Sequence, residues 1–118
     1  MKLRDLEARF ICHEARSEDL GDDLGSITRH WILTCDTFAE AHGIVFLCPK
    51  CLAAGRQHSI FCWFTGCVPE DLLPGPARWV PEGESLNDLS LLGPDGRGKP
   101  VFGGGCLWKG FVKAGNVV

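Results

Sequence analysis

The stretch that decides the fold lies near the middle of the chain, where residues 44–51 read Ile-Val-Phe-Leu-Cys-Pro-Lys-Cys. The β-branched and aromatic residues at its start predict a buried strand. That strand leads directly into a tight turn from Cys48 to Cys51, called the knuckle below. After a turn that contains Gly55, residues 58–64 read His-Ser-Ile-Phe-Cys-Trp-Phe and predict the returning strand. A strand, a two-cysteine turn and a second strand are the layout of a zinc-ribbon hairpin.

The spacing of the two knuckle cysteines indicates a structural zinc site. Two cysteines separated by two residues can direct both sulfurs at one metal, and a structural zinc ion takes four protein ligands. The nearby candidates for the other two ligands are His58, Cys62 and Cys67, and the distant candidate is Cys106. We predict that zinc is bound by Cys48, Cys51, His58 and Cys106. Cys62 is the first substitute in this set, and a purely local set of Cys48, Cys51, Cys62 and Cys67 stays open.

Cys106 enters the predicted site because of the residues that precede it. Three glycines at positions 103–105 give the backbone the freedom to turn tightly around a metal. We therefore predict that its sulfur lies about 2.3 Å from the zinc ion of the knuckle, or within about 4 Å of the knuckle sulfurs where no metal is present. The alternative is that Cys106 is a lone buried thiol beside Trp108.

The chain has seven cysteines, and its first nine residues, Met-Lys-Leu-Arg-Asp-Leu-Glu-Ala-Arg, lack the apolar core of a secretion signal. An odd number of cysteines in a chain that is not expected to be secreted favours metal ligands or free thiols over disulfides. Cys12 and Cys35 are predicted to be ordinary buried thiols, and the same role is the alternative for Cys62 and Cys67. A redox role for the knuckle is disfavoured, because Gly55 ends any helix within a turn and a thioredoxin-like motif opens a long one.

Towards the N-terminus, the local patterns are weaker. Residues 37–40 read Thr-Phe-Ala-Glu, a capping box, and Gly43 stands where helices commonly end, so we predict one helical turn over residues 38–42. Residues 30–34 predict a short strand, and the acidic residues 18–23 predict an exposed loop. Three histidines are predicted to be surface or core residues rather than ligands: His13, His30 and His42.

Towards the C-terminus, residues 66–84 contain four prolines and predict an irregular excursion that is attached to the core at Trp79. Residues 85–88 predict one helical turn, and residues 94–96, Pro-Asp-Gly, predict a tight turn. The chain from Cys106 to the C-terminus predicts a β-hairpin.

Together these elements predict a β-rich (α+β) fold, namely a small single domain of zinc-ribbon-like β-hairpins with one or two short helices. Residues 1–36 are expected to pack on a β-rich core of residues 37–118. A length of 118 residues fits one domain, and 15 glycines and 7 prolines favour short strands and many turns over a helix bundle.

The charge and hydropathy patterns exclude some classes of function. A net charge of −3 argues against a general nucleic-acid binder. The longest run without Asp, Glu, Lys or Arg is 13 residues, 57–69, so no membrane span is expected. The lack of a secretion signal makes the cytosol the default compartment. No acid follows Asp95, whereas four bases do: Arg97, Lys99, Lys109 and Lys113. A solvated hairpin is the simpler interpretation of this asymmetry, and an anion-binding face is the alternative.

Motifs typical of enzymes are missing from the sequence. There is no P-loop, no nucleophile elbow and no dinucleotide-binding fingerprint. Glu82 and Glu84 lie in a proline-rich segment and are more typical of a solvated pair than of a catalytic dyad. Several cysteine–histidine pairs could be drawn, but no feature selects one for catalysis. The sequence therefore favours a binding protein over an enzyme.

Two motifs, Cys-Pro-Lys-Cys at 48–51 and Gly-Gly-Cys-Leu-Trp at 104–108, carry a family resemblance together with the order of the segments between them. From residue 37 onward the chain resembles a group of small uncharacterised proteins of tailed phages and prophages, which share a Cys-Pro-x-Cys knuckle and a C-terminal Gly-Gly-Cys-x-Trp motif. In that group the tryptophan is often followed by histidine. This chain has Lys109 there, so position 109 supplies no ligand.

The resemblance and the residues together give three hypotheses for the function. The first is a phage-encoded, non-enzymatic accessory protein that binds a host or phage protein, including one of host defence, and is stabilised by a structural zinc. The second is a virion or assembly component of tail, neck or capsid, and the third is a metal- or thiol-dependent enzyme. The expected location is the host cytoplasm or the virion, and self-association is compatible with either binding role. A closed four-ligand site would favour the binding roles, and an open metal position would favour the enzyme.

Overall fold

A four-stranded antiparallel sheet, with strand order β2-β1-β3-β4, organises the first half of the molecule. The computed structural model describes residues 1–69, 71–72 and 77–118, so part of the proline-rich excursion lies outside the described residues. The strands of this sheet are β1 (Arg9–Asp19), β2 (Ser26–Cys35), β3 (Gly43–Leu47) and β4 (Ser59–Trp63). The predicted zinc-ribbon hairpin is β3 and β4, and the short helix α1 (Pro49–Ala53) lies between them.

Three small two-stranded sheets form the second half of the described chain. Their strands are β5 (Val80–Glu82) with β6 (Ser90–Leu92), β7 (Val101–Phe102) with β8 (Lys109–Gly110), and β9 (Val112–Lys113) with β10 (Asn116–Val117). Three 3-10 turns complete the described elements: Leu3–Leu6, Phe38–Glu40 and Gly104–Cys106. The β-rich fold class is thereby confirmed. No helix in the described residues is both long enough and apolar enough to cross a membrane.

The core lies on one face of the four-stranded sheet. Because side chains alternate along a strand, Ile44 and Phe46 of β3 share that face with Ile60 and Cys62 of β4, and all four are buried. The C-terminal sheets cover this face with further buried side chains: Leu89, Leu91, Val101 and Val112. The chain ends close the same core, since the Leu3 amide donates to the Gly115 carbonyl at 2.9 Å. The sheet therefore holds the knuckle at one end of a continuous apolar core.

The β1–β2 hairpin extends beyond this core as an arm. The two strands pair without interruption from Phe10 opposite Cys35 to Asp19 opposite Ser26, whereas β3 pairs with β1 only at residues 9–11. Beyond that point the hairpin is a two-stranded ribbon, and every residue from 15 to 34 is exposed. The molecule is accordingly elongated, with extents of 53 × 31 × 26 Å.

Several local predictions are corrected by the structure. The helix predicted over residues 38–42 is a three-residue 3-10 turn, because the Thr37 hydroxyl donates to the Glu40 carboxylate at 2.8 Å instead of capping an amide. The helical turn predicted at residues 85–88 is a turn in which the Asp88 carboxylate accepts from the amides of Glu84 and Ser85. The short strand predicted at residues 30–34 is the ten-residue β2, whose cross-strand partners extend it.

The C-terminal hairpin also differs from its prediction. Cys106 lies in a 3-10 turn rather than in a strand, and Lys109 and Gly110 pair with the earlier strand β7. The hairpin proper is β9 with β10. The positive φ of Leu107, 61°, redirects the chain after Cys106 and prevents a continuous strand there.

Candidate metal centre

The knuckle places Cys48 and Cys51 on one short turn of helix. Cys48 ends the strand segment and occupies the N-cap position of α1, where Pro49 fixes the backbone for the first turn. The amide of Leu52 donates to the Cys48 carbonyl at 2.9 Å, which closes that turn. Gly55, with φ of 77°, then reverses the chain towards β4. Both cysteines are buried, and Cys51 also lines the open cleft beside the cluster.

His58 and Cys106 reach the knuckle from two other segments. The Cys48 amide donates to the His58 carbonyl at 2.8 Å, which fixes the start of β4 beside the knuckle. The Lys50 ammonium donates to the Cys106 carbonyl at 2.9 Å and so ties the distant turn to the same place. A side chain at position 103 would put its Cβ 2.6 Å from the Cys106 sulfur, so Gly103 is required for this approach.

The four side chains converge to the spacing that a metal needs. The ligand atoms of Cys48, Cys51, His58 and Cys106 all lie within 4.8 Å of one another. The sulfurs of Cys48 and Cys106 are 3.6 Å apart, and the Cys51 sulfur lies 3.6 Å from Nδ1 of His58. In a tetrahedral zinc site with Zn–S bonds of about 2.3 Å, neighbouring sulfurs are about 3.8 Å apart. The cluster is therefore close enough to hold a metal ion.

The electrostatics differ among the thiols of the cluster. A hydrogen bond from the Trp108 backbone lowers the pKa of Cys106 to about 7, and hydrogen bonds with the other three side chains act in the same direction. Burial raises the pKa of Cys51, and hydrogen bonds with the neighbouring thiols add to the rise. Thiolates are the form that binds metal, so Cys106 is the thiol of this pair that deprotonates more readily.

Basic side chains surround the cluster on its open side. An open cleft of about 520 Å³ is lined by Lys50, Arg56, His58 and Cys106, and no acidic side chain is among the described residues that line it. Three thiolates and a neutral imidazole around a divalent ion carry a net charge of −1. Lys50 and Arg56 are placed to offset that charge.

The donor set fits a structural site better than a catalytic one. Structural zinc sites are closed by four cysteine or histidine ligands, whereas catalytic sites keep one position open for water or substrate. Here the protein itself offers four donors, and soft thiolates with imidazole select zinc over the hard cations. Such an ion would join the two ends of the knuckle, the start of β4 and the C-terminal turn.

The two alternative ligand candidates lie outside this cluster. Cys62 is four residues along β4 from His58, which is about 13 Å at the rise of an extended strand. Its side chain is fully buried in the core, and burial raises its pKa well above the usual range. Cys67 is exposed. The local set of Cys48, Cys51, Cys62 and Cys67 is therefore not brought together, because the second strand carries its cysteine into the core.

Cys12 and Cys35 are half-buried neighbours at the base of the arm. The Cys12 thiol donates to the Glu40 carbonyl at 3.0 Å, and burial together with Cys12 raises the pKa of Cys35 to about 12. The raised pKa keeps the Cys35 thiol protonated at neutral pH, and neither cysteine belongs to the cluster of candidate ligands among the described residues.

The sequence analysis missed a cluster of histidines on the opposite face of the same hairpin. Nε2 of His13 lies 2.8 Å from Nδ1 of His30, and Nδ1 of His42 accepts from the His13 amide at 2.9 Å. The three residues are separated in the chain: the register of β1 against β2 brings His13 to His30, and the pairing of β1 with β3 brings His42 beside them. Lys50 was missed for a similar reason, since its role depends on where the Cys106 turn lies.

Comparison with protein-family models, with curated proteins and with solved structures found no match.

Proposed function

We propose that this chain is a non-enzymatic protein-binding accessory protein, stabilised by a structural zinc ion at Cys48, Cys51, His58 and Cys106. The resemblance to small tailed-phage proteins supports a phage origin and makes a host or phage protein the partner, in the host cytoplasm or the virion. The four-donor cluster supports a structural rather than a catalytic metal, because it leaves no ligand position for a reacting water.

The observation that carries protein binding is the exposed arm. Six large apolar side chains of its outer part are exposed, and Leu24, at 74%, is the most exposed of them: Leu20, Leu24, Ile27, Trp31, Ile32 and Leu33. An isolated two-stranded ribbon is at best marginally stable in water. Exposed apolar clusters of this kind mark contact surfaces, and tryptophan is a preferred anchor residue in them.

The register shows which side chains share the face of the arm that carries the tryptophan. Trp31 and Leu33 lie on the same face as Glu14 and Arg16, which form an ion pair at 3.0 Å. Because these charges neutralise each other, that face presents apolar anchors beside a locally balanced polar surface. It has the composition of an interface with an apolar centre and a polar rim.

The test is co-purification of a partner from infected host cells with tagged protein. The arm variant Trp31→Ser/Leu33→Ser is compared with Val118→Ser, which removes an exposed apolar side chain at the chain terminus. We expect the wild type and Val118→Ser to retain one specific protein, and the arm variant to retain at least tenfold less of it with an unchanged melting temperature. Equal retention by the arm variant would contradict the proposal.

The same arm variant also distinguishes the accessory role from the virion-component alternative. If the arm served assembly of identical subunits, the purified protein alone would form a stable oligomer that Trp31→Ser/Leu33→Ser dissolves. Size-exclusion chromatography with light scattering measures this. A monomer that retains a heterologous partner supports the accessory role.

A further inference from the structure

The edge of the sheet opposite the arm carries a groove that the metal centre and the arm do not explain. β4 is the outer strand of the sheet on that side. A cavity of about 450 Å³ runs beside it, and its lining includes residues 58–61, Trp79, Lys99 and Phe102. This volume is within the range of ordinary binding pockets.

The pairing of β4 leaves backbone groups directed into this groove. The Cys48 amide donates to His58, and the Phe64 amide donates to His42, so residues 58, 60, 62 and 64 face β3. The N–H and C=O groups of the alternate residues point the other way. At Trp63 this is seen directly, because its carbonyl accepts from the Trp79 amide at 3.1 Å.

Ser59 and Phe61 therefore offer two donors and two acceptors along the groove. In the part of the chain that the structure describes, the outward backbone groups of Ser59 and Phe61 have no backbone partner. Unpaired edge groups of this kind are the template for adding a further strand. A peptide in extended conformation would satisfy them and would place every second side chain towards Trp79, Lys99 and Phe102.

The charge on the groove selects the kind of peptide. Lys99 is the only Lys, Arg, Asp or Glu among the described residues that line it, and its ammonium lies 5.3 Å from the centre of the Trp79 ring. One of its donors is used by the Arg78 carbonyl at 2.7 Å, which leaves two for a ligand. At the rim, the Lys109 ammonium lies 5.7 Å from the centre of the Phe102 ring. The adjacent metal cleft adds Lys50 and Arg56.

We propose that the groove along the free edge of β4 binds an extended acidic peptide of a partner protein by strand addition. The side chains on one face of the peptide, which are spaced two residues apart, would include acidic ones directed at Lys99 and Lys109 and apolar ones directed at Trp79 and Phe102. Phe102 is 61% exposed and offers the most accessible apolar contact. This inference rests on the proposed protein-binding function but uses a surface on the other edge of the sheet from the arm.

The test begins with a displayed library of random octapeptides, selected on the full-length zinc-loaded protein. We expect the enriched peptides to carry acidic and apolar residues at positions two apart, on one face of the extended chain. The best of them, labelled with fluorescein, is then titrated with protein by fluorescence anisotropy. Its alternately N-methylated form, which cannot donate to a strand edge, should bind at least tenfold more weakly.

Protein variants locate the binding on β4. Ser59→Pro removes one outward donor without breaking the ladder to β3, since proline is tolerated at the start of an edge strand. Ser59→Ala is its matched control. We expect at least tenfold weaker binding for Ser59→Pro and for the charge reversal Lys109→Glu, and less than a twofold change for Ser59→Ala. Amide shifts of Ser59 and Phe61 in NMR spectra should move on binding even where a variant proves unstable.

Four outcomes would overturn the inference. The first two are enrichment of neutral or basic peptides, and equally tight binding of the N-methylated peptide. The third is that the wild type enriches peptides no more strongly than the Ser59→Pro variant does. The fourth is tighter binding of a twelve-residue thymidine oligonucleotide than of any selected peptide. The arm variant Trp31→Ser/Leu33→Ser should bind the selected peptide as the wild type does. Failure of the arm proposal and failure of the groove proposal are thereby distinguished.

Discussion

Cys106 is the residue that brings the C-terminal half of the molecule into contact with the knuckle. Its sulfur meets that of Cys48 across 58 positions of sequence. Two neighbours make the approach feasible: Gly103, whose missing side chain leaves room for the sulfur, and Lys50, which holds the Cys106 carbonyl. A single ligand at the end of a glycine-rich turn thus brings a remote segment to a preformed hairpin.

Replacement of one knuckle cysteine should remove the metal and much of the stability. We expect about one zinc per chain in the wild type and none in Cys48→Ser, because a metal site with three remaining donors binds far more weakly. A metal present at a thousand times its Kd stabilises by about 4 kcal/mol, which corresponds to a fall in Tm of the order of 15 °C. Elemental analysis and thermal unfolding measure both effects.

Cys67→Ser is the matched control for that experiment. Its thiol is exposed and lies outside the cluster, so metal content and Tm should both stay at the wild-type values. A metal-free wild type, or a Cys48→Ser variant with unchanged Tm, would contradict the structural zinc.

The histidine cluster predicts that the stability of the fold depends on pH, and that His13 contributes to this dependence. Burial lowers the pKa of His13 below its ordinary value of 6.5, and the neighbouring His30 and His42 lower it further. As the pH falls through 6.5, the unfolded chain takes up this proton before the folded chain does, so the contribution of His13 to stability declines towards acid.

His30→Gln should raise the pKa of His13, because it removes one positive neighbour and leaves the burial in place. NMR titration of the His13 imidazole measures the shift, and Thr28→Ser on the same face is the control that should leave it unchanged. If the pKa of His13 is the same in wild type and His30→Gln, the proximity of the two rings has no electrostatic consequence.

At the scale of the elements, the same residue type has opposite roles in two strands of one sheet. Ile44 of β3 is fully buried against the core, whereas Ile32 of β2 is 46% exposed on the arm. Both belong to the same sheet and both have regular strand partners. The difference arises because Ile44 lies on the face that the C-terminal sheets cover, whereas the register places Ile32 on the opposite face, in the part of the arm that extends beyond β3.

The matched pair Ile44→Ala and Ile32→Ala tests this division. We expect Ile44→Ala to lower the free energy of unfolding by about 3 kcal/mol, from lost burial and a residual cavity. Ile32→Ala should change it by no more than about 0.5 kcal/mol, as for other surface substitutions. Urea denaturation provides both values, and equal losses would show that the arm is packed against the body in solution.

Local patterns in the sequence predicted the central hairpin and the candidate ligands, because both depend on neighbouring residues. The apolar run ending at Leu47 and the alternation after His58 gave β3 and β4, and three glycines pointed to Cys106. The turn at Thr37 was mispredicted for a local reason, because the Thr37 hydroxyl donates to the Glu40 carboxylate and does not cap an amide. The extra length of β2 was not predictable, since it depends on pairing with β1. For the same reason, cross-strand register was needed to find the contact between His13 and His30.

On the scale of the whole molecule, the C-terminal region is held at two separate places. At one, the chain termini meet through backbone bonds, with the Val117 amide donating to the Met1 carbonyl at 2.7 Å. At the other, the turn that carries Cys106 meets the knuckle, and the Gly103 amide donates to the Trp108 carbonyl at 2.7 Å within that turn. Only the second attachment involves candidate metal ligands.

Removal of zinc should therefore loosen the molecule unequally. Closing the long connection between the knuckle and Cys106 costs chain entropy, which a bound metal would offset at that attachment, whereas the termini are held by the core and by main-chain bonds. After addition of a strong zinc chelator, hydrogen exchange of the Gly103 amide should accelerate at least tenfold, while that of the Leu3 amide changes less than twofold. Mass spectrometry or NMR resolves the two regions. Parallel acceleration at both amides would mean that the metal supports the whole fold, and no acceleration at Gly103 would mean that Cys106 holds its position without it.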